Sequence, residues 1–342
     1  MLLLALFLAP GAWPAETPPP LRERLAASPF KIAYETYPSN NAEIFVMKAD
    51  GSHPVNLTKT PSDHEHYPQV SPDGTKICFV SDRGEGREAM RSLCVMDIDG
   101  TNRRTIAQGG REPFWRADSQ VIGFLHQEFP KFHVMDYATR GMSFFNLTTG
   151  RTTPHPNSTN LFHLYNPGFS PDGKWIVATV NAGMGEEHAI LAIEADGPRV
   201  VNLQIPGCRP TLSPDGHEIA WSAGDHEIAV APIDLQGPEP KVGPRRLRIQ
   251  DAAFRILHVD WSPDGRFLCF SRGPDGRGDP TKRGTFLAAD GIVGVYAAGW
   301  NLAAVAAERS GIMDLSKAGP EDLVILTTNG CSNKEPDWFT GR

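Results

Sequence analysis

Four copies of Ser-Pro-Asp-Gly, starting at Ser71, Ser170, Ser213 and Ser262, constrain this chain more than any other feature, because a turn that recurs at near-regular spacing means an array of repeats. Two weaker copies fill the gaps: W-R-A-D-S at Trp115 to Ser119, and W-F-T-G at Trp338 to Gly341. Repeats then start at Ser71, Arg116, Ser170, Ser213, Ser262 and Phe339. A period of roughly 45 residues with short apolar runs is that of propeller blades, each made of strands that bury their faces only when neighbours stack on them. The expected fold class is all-β, a six-bladed β-propeller.

The second blade shows how one repeat works. Y-P-Q-V-S is followed by P-D-G, T-K-I-C-F-V, a loop from Ser81 to Ser92, L-C-V-M-D-I, D-G-T-N and R-R-T-I-A. Runs of Val, Ile, Cys and Phe bounded by Pro, Asp and Gly read as four strands joined by tight turns. In Pro72-Asp73-Gly74 the proline fixes its own φ, the aspartate bonds the backbone ahead, and the glycine accepts a positive φ. The same aspartate recurs at Asp172, Asp215 and Asp264, as a structural turn requires; a catalytic or metal-binding carboxylate would break the repetition. Asp50-Gly51, Asp99-Gly100 and Asp196-Gly197 read as hairpin turns between the third and fourth strands. The amino-terminal repeat, from K-I-A-Y-E, lacks a first strand, and the carboxyl end supplies E-P-D-W-F. That last strand is expected to insert into the first blade and close the ring, which removes the open edges. The blades fall at roughly 29–58, 68–107, 113–155, 167–204, 210–250 and 259–328, with insertions at His126 to Gly141 and Gly273 to Gly299.

With 33 basic and 40 acidic side chains the net charge is -7, which on average repels phosphate backbones, so nucleic acid is not an expected partner. Residues 1–15, MLLLALFLAPGAWPA, resemble a signal peptide too short to span a bilayer. The organisation read from the chain is a signal peptide at 1–15, a Pro-rich linker at 16–28 and the propeller at 29–342, exported to a periplasmic or extracellular location. Five cysteines do not make a disulfide framework. Cys78 and Cys269, each seven residues after a repeat serine, read as buried strand positions, and a bridge from Cys94 to a facing Cys78 within one blade is the minor alternative to free thiols.

The pattern P-x-x-S-P-D-G before an apolar strand, and V-M-x-x-D-G before N-L-T, resembles the six-bladed propeller repeats of TolB and the wider TolB-like group. The resemblance runs from Lys31 to Phe339 and is to the propeller alone, the residues before Lys31 being too few for the mixed amino-terminal domain of TolB. It implies a fold used by binding proteins and enzymes alike.

In a propeller the first strand of each blade lines the central channel. Four residues before each repeat serine stand Tyr67, Glu112, Asn166, Arg209, His258 and Glu335, one per blade, where the chain is expected to turn into the channel. Six unlike polar side chains spaced about 60° around one axis make a polar mouth suited to recognition. Polar residues expected nearby are His64, His66, Arg111 and His163 on the entering loops, and Asn181, His188, Asp225, His226 and Arg272 at the corners between second and third strands. His64, His66, His163, His188 and His258 approach one rim from separate blades, so a divalent metal is the one cofactor to consider. The leading reading is a non-enzymatic module that binds an envelope protein or a glycan through Tyr67, Glu112, Asn166, Arg209, His258, Glu335, His66, His163 and His188. The alternative is a metal-assisted uronate lyase of the oligogalacturonate lyase type, a group that the architecture also resembles although those enzymes usually carry one more blade. That resemblance implies a metal that acidifies the proton beside the uronate carboxylate, a basic side chain that abstracts it, and an arginine such as Arg209 on the carboxylate. A purely structural assembly module is the third reading. A serine hydrolase is not expected, since no G-x-S-x-G turn occurs.

Overall fold

Each Ser-Pro-Asp-Gly segment folds into the same clasp. In the second blade Ser71 N donates to Lys76 O, Gly74 N donates to Ser71 O, and the Ser71 hydroxyl donates to Asp73 at 2.6 Å while accepting from Lys76 N at 3.0 Å. The serine hydroxyls of Ser170, Ser213 and Ser262 donate to Asp172, Asp215 and Asp264 at 2.7, 2.6 and 2.7 Å. Gly74 needs its lack of a side chain twice over, with φ at 70° and a would-be Cβ 2.8 Å from Thr340 O. These aspartates are turn residues, and their hydrogen bonds show it: the Ser213 hydroxyl holds the Asp215 carboxyl below the usual carboxylate range.

The computed structural model describes residues 19–38, 41–84, 90–128, 138–237, 239–274 and 299–341. The span 1–15 and the central parts of both expected insertions, 129–137 and 275–298, lie outside the described residues. Among the described residues twenty-six strands form six sheets arranged as six propeller blades. The innermost strands are Asn333–Thr340, Asp63–Val70, Gly110–Trp115, Leu164–Phe169, Cys208–Leu212 and Phe254–Trp261, for blades 1 to 6. Blade 2 continues outward through Lys76–Arg83, Met90–Asp97 and Arg104–Gln108, all antiparallel. In blade 1 the innermost strand comes from the carboxyl end, with Ala33 opposite Asp337 and Ile32 opposite Trp338. Blade 5 departs from the four-strand plan. Gly311–Asp314, from the segment after the third strand of blade 6, adds in parallel to Leu247–Gln250 and covers that outer edge.

Apolar residues alternate along the strands so that adjacent blades share a core. Ala33, Ile44, Phe79, Cys94, Met96 and Phe339 join blades 1 and 2, and Trp221, which is fully buried, anchors the cluster between blades 4 and 5. Burying a side chain of that size stabilises by roughly 1.5–3 kcal/mol, so each interface contributes through several such residues. Cys78 and Cys269 are fully buried, as their equivalence suggested. Cys94 does not face Cys78: it pairs with Phe79 while Cys78 pairs with Val95, which sends the two thiols to opposite faces of the sheet, and both are free.

Part of the span read as a linker is built into the body. Leu21–Ala26 forms helix α1, whose Leu21 and Leu25 are fully buried against blades 6 and 1. Arg22 donates to Asp50 O and Ile325 O, and Arg24 stacks over Phe267. The proline run hid this, because one and a half turns with two apolar residues give no readable period. Among the described residues no helix is long and apolar enough to cross a membrane.

Candidate functional site

The six residues singled out in the sequence share one unusual backbone state. Tyr67, Glu112, Asn166, Arg209, His258 and Glu335 have φ of 53°, 47°, 46°, 55°, 55° and 48°. Each sits at a β-bulge, where the ladder slips between His66 and Gln69, Arg111 and Phe114, Tyr165 and Gly168, Cys208 and Thr211, Leu257 and Asp260, and opposite Ala33 and Glu35. The sequence suggested the point where the chain turns into the channel. They lie instead inside the innermost strands, and the bulge starts each strand several residues earlier than the repeat pattern indicated. A left-handed residue with a side chain costs about 1–2 kcal/mol, and only glycine avoids it. None of the six is glycine.

All six line one cavity of about 150 Å³ on the propeller axis, together with Gln69, Thr211, Asp260 and Asp337. Their side chains engage one another across blades. Arg209 donates to Asn166 Oδ1 at 2.7 Å, lies 3.7 Å from Glu335 and stacks over Tyr165 at 5.4 Å. His258 Nε2 is 3.0 Å from Glu335 and its Nδ1 is 3.1 Å from the Ser271 hydroxyl. An ionised carboxylate only accepts, which assigns the ring proton to Nε2 and leaves Nδ1 to accept from Ser271. Burial, then the charges of Arg209 and Lys334, push the His258 imidazole well below its usual range, so it is neutral at pH 7.

The bulges orphan backbone N–H groups, and the side chains of Glu35, Thr179 and the channel residue Glu112 take them up. Tyr67 N donates to Glu35 at 3.1 Å, Asn166 N to Glu112 at 3.2 Å, and Arg209 N to the Thr179 hydroxyl at 2.8 Å. Glu112 is thus both a channel residue and a brace. A second polar group, also unread, borders the mouth on blades 1 and 2: Arg91 forks onto Asp82 at 2.7 and 2.5 Å, both nearly fully buried, with Glu35 and Tyr37 beside His66. Its sequence signal was a charge inside an apolar strand, Glu35 in K-I-A-Y-E-T and Asp82 in C-F-V-S-D.

Three of the residues expected at the mouth do not line the cavity. His66 is buried against Tyr37 and Glu35, His163 is held by Ala182 O at 2.7 Å and Glu128 at 3.1 Å, and His188 by Tyr165 OH at 3.1 Å. Of the histidines named for a shared metal, His64 and His66 stack on each other at 6.2 Å while His163, His188 and His258 are held by separate partners, and among the described residues no three His, Cys, Asp or Glu side chains are grouped to hold an ion. Spacing along the chain could not reveal it, since ligands from different blades have no fixed separation in sequence.

No family model matches the chain. In fold it is similar to TolB from Acinetobacter baumannii, with a TM-score of 0.61 at 17% identity over 90% of this chain and 66% of that one, so the chain spans just under two thirds of that protein's length. It is similar too to a putative TolB from Agrobacterium tumefaciens, with a TM-score of 0.55 at 14% identity over 91% and 99%. A chain of a nidogen/laminin complex superposes with a TM-score of 0.56 at 10% identity over 92% and 99%. At such identities the likeness is one of architecture, and the architecture is a six-bladed β-propeller of TolB-like form.

Proposed function

We propose that this chain is an exported propeller that binds a protein or glycan partner across the channel mouth, without catalysis. The observation that carries the proposal is the ring of six side chains, of five kinds, kept at positions where glycine would relieve strain. Strain of this kind persists where it serves a task, and repetition of the position with variety of the residue separates a recognition surface from a structural motif. Size sets the mode of binding. The channel cavity of about 150 Å³ is below the roughly 300–1,000 Å³ of enclosed small-molecule sites, so the partner lies over the mouth and sends at most a small group inside. The neutral His258, the Arg209 fork and Glu335 offer it both donors and acceptors.

A photo-crosslinking side chain at Tyr67, which is only half-buried, tests this against one at Pro214 on the turn rim. The expected result is a discrete crosslinked product from envelope extract or a glycan pool at Tyr67 alone. Equal products from both positions, or none at Tyr67, would remove the mouth as the binding face. The lyase alternative lacks a grouped donor set among the described residues. Unsaturated product from a uronate polymer in the presence of added divalent metal would restore it.

A further inference from the structure

Beneath the mouth, two residues after each bulge residue, stand Gln69, Phe114, Gly168, Thr211, Asp260 and Asp337. Acids occupy this level only on the strand that closes the ring and on its neighbour in blade 6. Both bond to backbone across a blade boundary. Asp260 Oδ2 accepts from Trp338 N at 2.9 Å, and Asp337 Oδ2 accepts from Val70 N at 2.7 Å. The closing strand is therefore tied to blade 6 by one carboxylate and to blade 2 by the other. The residue that Asp260 grips is the next one after Asp337, which places the two acids side by side in the channel.

We propose that Asp260 and Asp337 form a proton-linked clasp on the closing strand, tight while the pair holds a proton and weakened by like-charge repulsion when both are ionised. Among the described residues no cation acts on either acid to offset a second charge. Blade 5 offers the Thr211 hydroxyl to Asp260 at 3.3 Å, with Arg209 already committed to Asn166 and Glu335. Blades 2, 3 and 4 face the channel with Tyr67, Gln69, Glu112 and Asn166, and the two strands themselves carry the neutral His258 and the acidic Glu335 above. Behind the pair the second strands of blades 6 and 2 place the thiols Cys269 and Cys78, both pushed well up by burial and so uncharged. Burial moves Asp260 up to about 6, and burial together with the charge on Asp260 moves Asp337 well above the usual range. Both folded values exceed the unfolded value of about 3.9, so the pair's contribution is greatest in acid and is lost as pH rises through the folded values. Two interacting carboxyls release their protons in two steps that belong to the pair.

The test compares wild type with D337N, whose amide oxygen still accepts from Val70 N but carries no charge. His258 contributes a slope of the opposite sign, so the difference between the two proteins isolates the pair. D337N is expected to melt higher than wild type at pH 8 by roughly 2 °C or more, with the gap closing toward pH 5. Unfolding at pH 7 in weak buffer is expected to release about one more proton from wild type than from D337N. In wild type, the hydrogen-exchange protection of the Val70 and Trp338 amides should fall between pH 6 and 8.5 relative to the Trp175 amide, which a serine hydroxyl holds. D260N gives the same relief from the other partner if D337N does not fold. A D337N protein that melts lower at every pH with an unchanged slope, equal proton release, or pH-independent protection at both amides would overturn the clasp.

Discussion

The two ends of each innermost strand solve opposite problems. At the turn end of blades 2, 4, 5 and 6, Ser, Pro, Asp and Gly recur, the positive φ falls on glycine, and each serine hydroxyl donates to the carboxylate of its own turn. At the bulge end, an equally repeated positive φ falls on Tyr, Glu, Asn, Arg, His and Glu, whose side chains reach across blades into one channel. Where a repeated position carries the residue its backbone wants, structure alone explains it. Where it carries five residue types over six blades, none of them glycine, what the side chains do accounts for the cost.

Substitutions at the two ends should therefore behave differently. The largest stability loss is expected from G74A, which meets Thr340 O and a strained φ together and should cost about 2–3 kcal/mol in denaturant unfolding, with partner binding unchanged. D215A comes next, at about 1–2 kcal/mol, through loss of the bonds from the Ser213 hydroxyl and His217 N. Its effect also has a pH signature. The folded Asp215 carboxyl lies below its unfolded value, so its contribution is full above about pH 4 and disappears as pH falls through the folded value. At Tyr67 the informative quantity is the difference between two variants: Y67G should be more stable than Y67A by about 1 kcal/mol, since only the glycine relieves the left-handed strain. A Y67A protein as stable as Y67G would show that the bulge stores no strain, and the contrast between the two ends would lose its basis. The smallest effect is spectroscopic. The His258 imidazole should stay neutral by NMR at pH 6, and its part in stability should weaken only as pH drops below about 6.5, where the unfolded chain binds the proton that the folded one refuses.

The blade count, the turns and the pairing of the closing strand were legible in the sequence because each rests on a local rule about proline, aspartate and glycine. The positions of the six channel residues followed from the same period. Their backbone state did not, because no residue type announces a left-handed bulge; the proline after Tyr67, Glu112, Asn166, Arg209 and Glu335 was the available hint. The braces at Glu35 and Thr179, the dispersal of the histidines, and the strand that blade 6 lends to blade 5 depend on contacts between distant segments. The acids below the mouth left a small trace, an aspartate before tryptophan in both V-D-W and P-D-W, that gains meaning only when the two strands stand side by side.

The most direct test of the central claim measures partner capture by wild type, by the mouth variant Y67A/N166A/E335A and by the turn variant D215A, each first shown to keep its strand circular dichroism. Capture is predicted to drop at least tenfold for the mouth variant, a loss of about 1.4 kcal/mol or more, and to be retained by D215A despite its lower stability. Undiminished capture by the mouth variant would contradict the assignment of the channel ring to recognition.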